Sequence, residues 1–592
     1  MKIEERLLHP NPQFMREQVM DLNGEWDFEF DSKNEGVVHR WFEAGTLATK
    51  IRVPFAYQSQ LSGISTPDAV CEVVWYKRKV VLEPSNKKRY ILHFEACDYH
   101  TTVWVNGCYV TEHRGGFTPF MVDVTQQLTE GENDITLRVE DTTSPTQLLG
   151  KQSWKAQNFL CWYTRTTGVW QQIWLEVVPE VYIKDIYIRP NTDVNSVSIE
   201  LSLNEKMTEG SVEVEIKLGD RLVNYAAYKV MEGCVTATLD VYSPQCDFQV
   251  EYWSPDSPVL YDLNLCYLNA ERQIQDKVQS YFGMRKISVS GNKILLNNKE
   301  FYQKLVLNQG YYGKGLMTPQ SSEQLRHDVE MIKACGFNGM RVHQTVASRA
   351  LLFLCDALGL VVWSEMPSFY RFTQSVKQQY FSELSEAIVK QYNHPCIITW
   401  VLFNESWGVN CIYDNEEHKQ FVNAAVSYAK ALDGTRLCIG NDGWEHADTD
   451  ILSVHDYTAQ GEKLHSKFAV AENERGFYSE TSQRSNFADG CVQTGKPIII
   501  SEIGGIAYGE GGDEAWGYGK RLTTERAYLE RFSTLVRSII RLDTVCGYCY
   551  TQWTDVEQEI NGILDSEHNP KFSLDAIREI NSSAKNMGYI FG

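Results

Sequence analysis

Two short stretches of this chain hold a carboxylate where chemistry can use it. Residues 397–408, Ile-Ile-Thr-Trp-Val-Leu-Phe-Asn-Glu-Ser-Trp-Gly, form an apolar run of strand length that ends abruptly in Asn404, Glu405 and Ser406. Residues 497–505 repeat the arrangement, with Pro-Ile-Ile-Ile-Ser running into Glu502 and then Ile-Gly-Gly. Continuous β-branched and aromatic runs read as buried parallel strands, here each with a glutamate at its tip. Parallel strands direct their C-terminal ends to one mouth, where residues distant in sequence share a site. Glu405 and Glu502 are therefore candidates to face one another across a substrate. Two carboxylates suit cleavage of a glycosidic bond, since one must protonate the departing oxygen while the other, ionised, attacks or stabilises the anomeric carbon. Singly, each glutamate also reads as a surface residue after a strand; the pairing is what points to chemistry.

The elements that must position this pair begin at Phe282-Gly283-Met284-Arg285, beyond which strands alternate with longer amphipathic helices. One helix opens at Ser321 or Ser322, carries Leu325, Val329 and Ile332 on one face, and stops at Gly336. Strands follow at Phe337 to Arg341, at Leu360-Val-Val-Trp-Ser before Glu365, at Leu437-Cys-Ile-Gly, at Ile451-Leu-Ser-Val and at Val545 to Tyr550. Residues 283–592 have the size and alternation of a (β/α)8 barrel. Residues 1–178 read instead as short alternating strands with turn signals at Asn106-Gly107 and Gly115-Gly116, a β-sandwich or jelly roll. Residues 179–282 keep that pattern in segments such as Val212-Glu-Val-Glu-Ile-Lys-Leu and fit an immunoglobulin-like sandwich acting as a spacer.

Composition narrows the partners. At 592 residues the chain expects several domains. A net charge of −21 without any clustered Lys and Arg argues against nucleic acid or an anionic membrane surface. Fifteen tryptophans suit clefts with flat apolar walls of the kind sugars bind, although most such indoles serve cores. The first thirty residues carry no apolar core of signal-peptide length, and no run approaches the roughly 18 apolar residues of a membrane span. A soluble, cytoplasmic protein is expected, and its fifteen scattered cysteines fit reduced thiols. Cys546 and Cys549 form a C-x-x-C inside a strand-like segment, which suits neither redox nor zinc chemistry.

Asn404-Glu405 after a Trp-containing strand, followed by Ser501-Glu502-Ile-Gly-Gly, resembles glycoside hydrolase family 2, the family of β-galactosidases, β-glucuronidases and β-mannosidases. Further pieces resemble its N-terminal sugar-binding domain, among them Leu22-Asn-Gly-Glu-Trp26, Trp104-Val-Asn-Gly107, His113 to Phe120 and Thr167 to Glu176. Trp253 to Tyr261 resembles the family stretch that closes the spacer domain. The resemblance implies that Glu405 is the general acid/base and Glu502 the nucleophile of a retaining double displacement. Phe403 and Trp407 would keep Glu405 protonated by desolvation, and Asn404 has an amide donor for the sugar 2-hydroxyl. It further implies that Tyr457 orients the nucleophile, that Arg341 holds it ionised, and that Trp553 is an aromatic platform. Asp456, beside His455 at a strand tip, is a candidate for a sugar hydroxyl. In the family an exposed loop of the first domain can reach the rim, and Asp98 or the segment 150–154 could do so here. The Gly-rich stretch Tyr508–Gly519 reads as a lid with Trp516 as its contact.

Three departures bear on the substrate. Many members read Arg-x-Ser-His where this chain reads Arg341-Val-His343-Gln344, so that Gln344 falls at the family's histidine position and either residue is a candidate to face the sugar. The stretch Met366-Pro-Ser-Phe-Tyr-Arg-Phe lacks the Glu and His that bind magnesium in the large bacterial β-galactosidase, so no metal or other cofactor is expected. The Asn-x-Lys pair with which β-glucuronidases grip the sugar carboxylate is not offered by Asn561-Gly-Ile, leaving Arg371 or Lys377 as alternatives. The expectation is an exo-acting β-glycosidase for oligosaccharides or small glycosides, β-galactosidase-like first. β-Glucuronidase and β-galactofuranosidase or α-L-arabinofuranosidase are alternatives within the family. A carbohydrate-binding protein on the same scaffold is the alternative outside enzymology, and it predicts loss of one glutamate. A homo-oligomer is expected from the family.

Overall fold

The computed structural model describes residues 2–66, 70–155, 157–469, 478–479, 484–509, 512 and 514–583. The alternating segments of the N-terminal part pair as expected into two antiparallel sheets. One has six strands, 49–53, 24–30, 73–82, 131–140, 100–105 and 108–114 in spatial order, and the other has four, 19–21, 173–179, 88–94 and 120–123. Their inward faces bury Trp26, Phe28, Tyr76, Leu92, Phe94, Leu137 and Leu175 in one core. A second sandwich packs a three-stranded sheet, 183–191, 196–203 and 234–240, on a four-stranded one, 221–229, 211–218, 261–268 and 274–282. Val212, Val214 and Ile216 alternate inward there, as the period of two demands.

The barrel consists of eight parallel strands: β1 (Gln303–Asn308), β2 (Gly339–Val342), β3 (Val361–Glu365), β4 (Ile397–Asn404), β5 (Leu437–Asp442), β6 (Leu452–Asp456), β7 (Ile498–Gly504) and β8 (Val545–Thr551). Their order is β5-β4-β3-β2-β1-β8-β7-β6, so a ring forms that is hydrogen-bonded everywhere except between β5 and β6. Burial on both faces explains the unbroken apolar runs, and every residue of β4 and β7 is buried. Helix α1 (Ser322–Ala334) begins where Ser321 Oγ accepts from the Gln324 N–H and buries Leu325, Val329 and Ile332. Cys546 and Cys549 lie within β8 as buried free thiols. No described helix is long and apolar enough to cross a membrane.

Candidate active site at the barrel mouth

All the candidate carboxylates sit at C-terminal strand ends, because that is where each apolar run stops. Beyond Asn404, strand β4 turns through two left-handed residues, Glu405 (φ 49°) and Ser406 (φ 58°). Such backbone is disfavoured for residues with a Cβ and persists where neighbours enforce it. Here the Glu405 N–H donates to the Asp442 carbonyl at 2.9 Å, the Ser406 N–H donates to Asn441 Oδ1 at 2.9 Å, and Ser406 Oγ donates to Glu445 at 2.7 Å. The turn swings Glu405 across the mouth. In β7 the pairing register shifts on both sides of Ser501-Glu502, a bulge that aims Glu502 inward. The outcome is a pair of carboxylates, with one oxygen of each and a nitrogen of His455 all within 4.8 Å of one another.

Arg341, wholly buried in β2, organises the floor. Its guanidinium lies 2.9 Å from Glu502 Oε1, 2.8 Å from Glu365 Oε2 and 2.6 Å from Asp442 Oδ2, and it donates to Asn404 Oδ1 at 2.6 Å. Glu365 ends β3 and Asp442 ends β5, so one cation gathers the tips of five strands. The Asn404 amide nitrogen has no protein partner among the described residues, which leaves a donor for a ligand. Tyr457, just past β6, donates its hydroxyl to Glu502 Oε2 and stacks on Tyr518 with ring centres 3.4 Å apart. His455 lies 2.8 Å from Glu405 and 3.1 Å from Asp442. Gly443 makes room for that ring: its φ is +90°, and a Cβ there would stand 2.5 Å from His455 Cγ.

The two glutamates sit in opposite electrostatic settings. Burial drives the Glu405 carboxyl above its ordinary pKa, and the hydrogen bond to His455 opposes this only in part. Burial would raise Glu502 too, but the charges of His455 and Arg341 outweigh it and hold Glu502 below its ordinary value. His455 itself, although burial disfavours its charge, is raised to about 10 by Glu502 and Asp442 and is an imidazolium at neutral pH. The two environments bias the carboxyls apart, Glu405 toward its protonated form and Glu502 toward its ionised form, an arrangement that glycosidic cleavage can use.

The remaining candidates fall in several places. His343 Nδ1 lies 3.1 Å from Glu365. Gln344, left-handed at φ 57°, donates to Glu365 at 2.5 Å and accepts from the Ser368 N–H at 2.8 Å, so both ends of its amide are engaged by protein. Asp456 is turned away to Lys467 and the Thr458 N–H. Trp553 follows β8 and is fully buried, with its indole N–H unpartnered among the described residues. Trp516 donates its indole N–H to the Leu160 carbonyl of the first sandwich at 2.8 Å. Residues 510, 511 and 513 of the Gly-rich stretch lie outside the described residues. Asp98 is buried and accepts from Gln152 Nε2 at 2.7 Å, whereas Gly150, from the same rim segment, touches the barrel through Ser368 and Tyr370. Sequence reasoning missed Glu365 and Asp442 as partners of Arg341, and gave His455 only a hydroxyl to bind. Both acids do end apolar runs, the same signal that marked Glu405.

Comparison with known proteins agrees with this geometry. The models for the sugar binding domain, a second domain and the TIM barrel domain of glycosyl hydrolases family 2 match residues 19–179, 181–285 and 287–586. A β-glucuronidase of Paenibacillus borealis is 27% identical over 68% of this chain and 70% of its own length. A β-galactosidase of Thermoanaerobacter pseudethanolicus is 25% identical over 76% of the chain, a match that spans 59% of that relative. Among solved structures, a β-glucuronidase from an uncultured Clostridium superposes with a TM-score of 0.76 at 21% identity, covering 97% of this chain and 99% of that one. A β-galacturonidase from Eisenbergiella tayi bound to galacturonate superposes at 0.73 and 20% identity, covering 96% and 98%. With matched domains along nearly its whole length and a paired-glutamate barrel mouth, the chain is a glycosidase that belongs to glycosyl hydrolases family 2.

Proposed function

We propose that the chain is an exo-acting, retaining β-glycosidase that removes a terminal uronic acid, in the manner of a β-glucuronidase. The observation that carries the mechanism is the close approach of Glu405 and Glu502, with an oxygen of each inside 4.8 Å. That spacing suits direct attack by one carboxylate and leaves little room for the interposed water of an inverting enzyme, whose carboxyl groups stand about 6.5 to 9.5 Å apart. Glu502, anionic and held by Arg341 and Tyr457, attacks the anomeric carbon as Glu405 protonates the leaving oxygen. Glu405 then takes a proton from water, which releases the sugar with its configuration kept. The uronide as glycone is supported by the names of the relatives, most of which are β-glucuronidases. It displaces the galactoside reading of the sequence alone.

A neutral β-galactoside is the second reading, favoured by one observation: Glu559, an acid, stands at the mouth beside Asn561 where an Asn-x-Lys lysine is lacking. A panel of 4-nitrophenyl glycosides, comprising glucuronide, galacturonide, galactoside and the two furanosides, decides the glycone. Proton NMR of the first-formed anomer decides retention. A first-formed α-anomer from a β-glycoside would overturn the double displacement.

A further inference from the structure

Lys151 is a buried cation at the mouth that forms an ion pair with no described carboxylate. Its segment belongs to the N-terminal sandwich but is fastened to the barrel: the N–H groups of Leu149 and Gly150 donate to the Ser368 carbonyl at 2.9 and 3.0 Å, and the Tyr370 hydroxyl donates to the Gly150 carbonyl. Gly150 has φ +58°, and a Cβ there would lie 2.2 Å from the Gln344 carbonyl oxygen. Only glycine permits so close an approach, and it delivers the next side chain over the mouth. The Lys151 ammonium stands 5.1 Å from the ring centre of Trp407, two residues past Glu405, and 5.5 Å from that of Tyr163.

Aromatic faces attract an ammonium but do not cancel its charge. Lys151 is 6% exposed, and among the described residues it makes no ion pair. Burial works against its charged form, but Cys161, Glu559, Glu502 and Glu405 together outweigh burial and keep it protonated. Glu559 is already engaged, accepting from the Tyr163 hydroxyl at 2.5 Å and from Asn561 Nδ2 at 2.9 Å. Among the described residues, other cations of the barrel are engaged or exposed. Arg341 serves three carboxylates, Lys571 pairs with Asp555, Lys377 pairs with Glu417, and Arg371 is exposed. A buried ammonium held charged by acids nearby, yet with no described carboxylate in direct contact, can take an anionic ligand as its partner.

We propose that Lys151 is the specificity-determining cation of this enzyme, receiving the carboxylate of a terminal uronic acid from the sandwich side of the mouth. The proposal rests on the uronide reading above. It differs from a general electrostatic role, in which Lys151 would merely support Glu405 and Glu502 and would matter equally for every substrate.

The test compares wild type with Lys151→Met, of similar length, and Lys151→Arg. The readout is kcat/KM on 4-nitrophenyl β-D-glucuronide and β-D-galacturonide against the matching glucoside and galactoside. Calorimetric binding of the uncharged D-glucono-1,5-lactone checks that the site is intact. Lys151→Met is expected to lose on the order of 10²-fold on the uronides, mostly in KM, to leave the neutral glycosides and the lactone within about twofold, and to be partly rescued by Lys151→Arg. An equal loss on all substrates overturns the proposal in favour of the general electrostatic role. Unchanged uronide preference in Lys151→Met overturns it while the uronide reading stands, and a wild type inactive on uronides overturns both. Should Lys151→Met fail to bind the lactone, Lys151→Gln is read by the same criteria.

Discussion

His455 Nδ1 lies 2.8 Å from Glu405 Oε1, and Nε2 of the same ring lies 3.4 Å from Glu502 Oε1. One ring therefore touches both Glu405, the proposed proton donor, and Glu502, the proposed nucleophile. Its hydrogen bond tempers the rise of Glu405, and its charge is the leading influence that holds Glu502 down. Arg341 contributes from below, and Asp442 on the far side of the ring keeps the imidazole charged.

His455→Asn should accordingly move both limbs of the pH–rate profile the same way. Without the imidazolium the pKa of Glu502 rises, so activity on the acid side begins at higher pH. Without its hydrogen bond the pKa of Glu405 also rises, so the alkaline fall moves to higher pH as well. These are macroscopic values of a coupled group rather than of single residues. Measuring kcat/KM from pH 4 to 10 for wild type and variant checks this. A lower plateau with both limbs in place would show that His455 acts on shape alone.

Removing either glutamate should cost on the order of 10³-fold or more in kcat/KM, and azide should separate their roles. In Glu502→Ala the small anion enters from the nucleophile's side, and the product is the α-glycosyl azide. In Glu405→Ala the covalent intermediate still forms on substrates with a good leaving group, and azide then yields the β-glycosyl azide. Product NMR with a 2,4-dinitrophenyl glycoside reads the assignment, and the reverse pairing of anomers would exchange the two roles.

Much of this site was legible because its parts sit where apolar runs end. The runs 397–403 and 497–501 marked β4 and β7, and the tip residues Glu405 and Glu502 followed from them. Strand β1 was not legible, since only Leu305, Val306 and Leu307 separate the polar ends of a six-residue strand. What the chain order hides is the third dimension around Arg341. Its contact with Glu502 was expected from the family resemblance alone, whereas those with Glu365 and Asp442 were not expected, and no local pattern signals that a strand-tip acid is a partner of another strand's cation. Gln344 and Asp456 show the converse. Both lie at strand ends, yet their polar atoms are turned to Glu365, Ser368 and Lys467, a choice made by neighbours far away in sequence. The fastening of Gly150 to the barrel is likewise a contact between domains, visible only once both are folded.

Asn404 presents a donor pair with no protein partner among the described residues while its oxygen is fixed by Arg341, which sets the orientation of the amide. Contact with the sugar 2-hydroxyl should strengthen in the transition state. Asn404→Ala is expected to lose about 10- to 100-fold in kcat/KM, and the wild type should lose similarly on a 2-deoxy glycoside. Combined, the two changes should cost little more than either alone. Additive losses in this cycle would place the 2-hydroxyl elsewhere.

Glu95 joins the first sandwich to the barrel and should make the assembly sensitive to acid. It is buried, with Arg349 Nε at 2.7 Å and Lys390 Nζ at 2.9 Å. Burial alone would raise its pKa, but the two cations outweigh it and depress it to about 2 from an ordinary 4.5. A depressed acid contributes stability that is full above the unfolded value, here pH 4.5, and is lost as pH falls toward about 2. Glu95→Gln removes that contribution at every pH and strands two buried cations, at a cost of about 3 to 5 kcal/mol near neutrality. Thermal unfolding should therefore show a gap between wild type and Glu95→Gln that is widest above pH 5 and narrows as the pH is lowered to 3. A gap that stays constant over that range would mean that Glu95 has the same pKa folded and unfolded, so that Arg349 and Lys390 do not depress it.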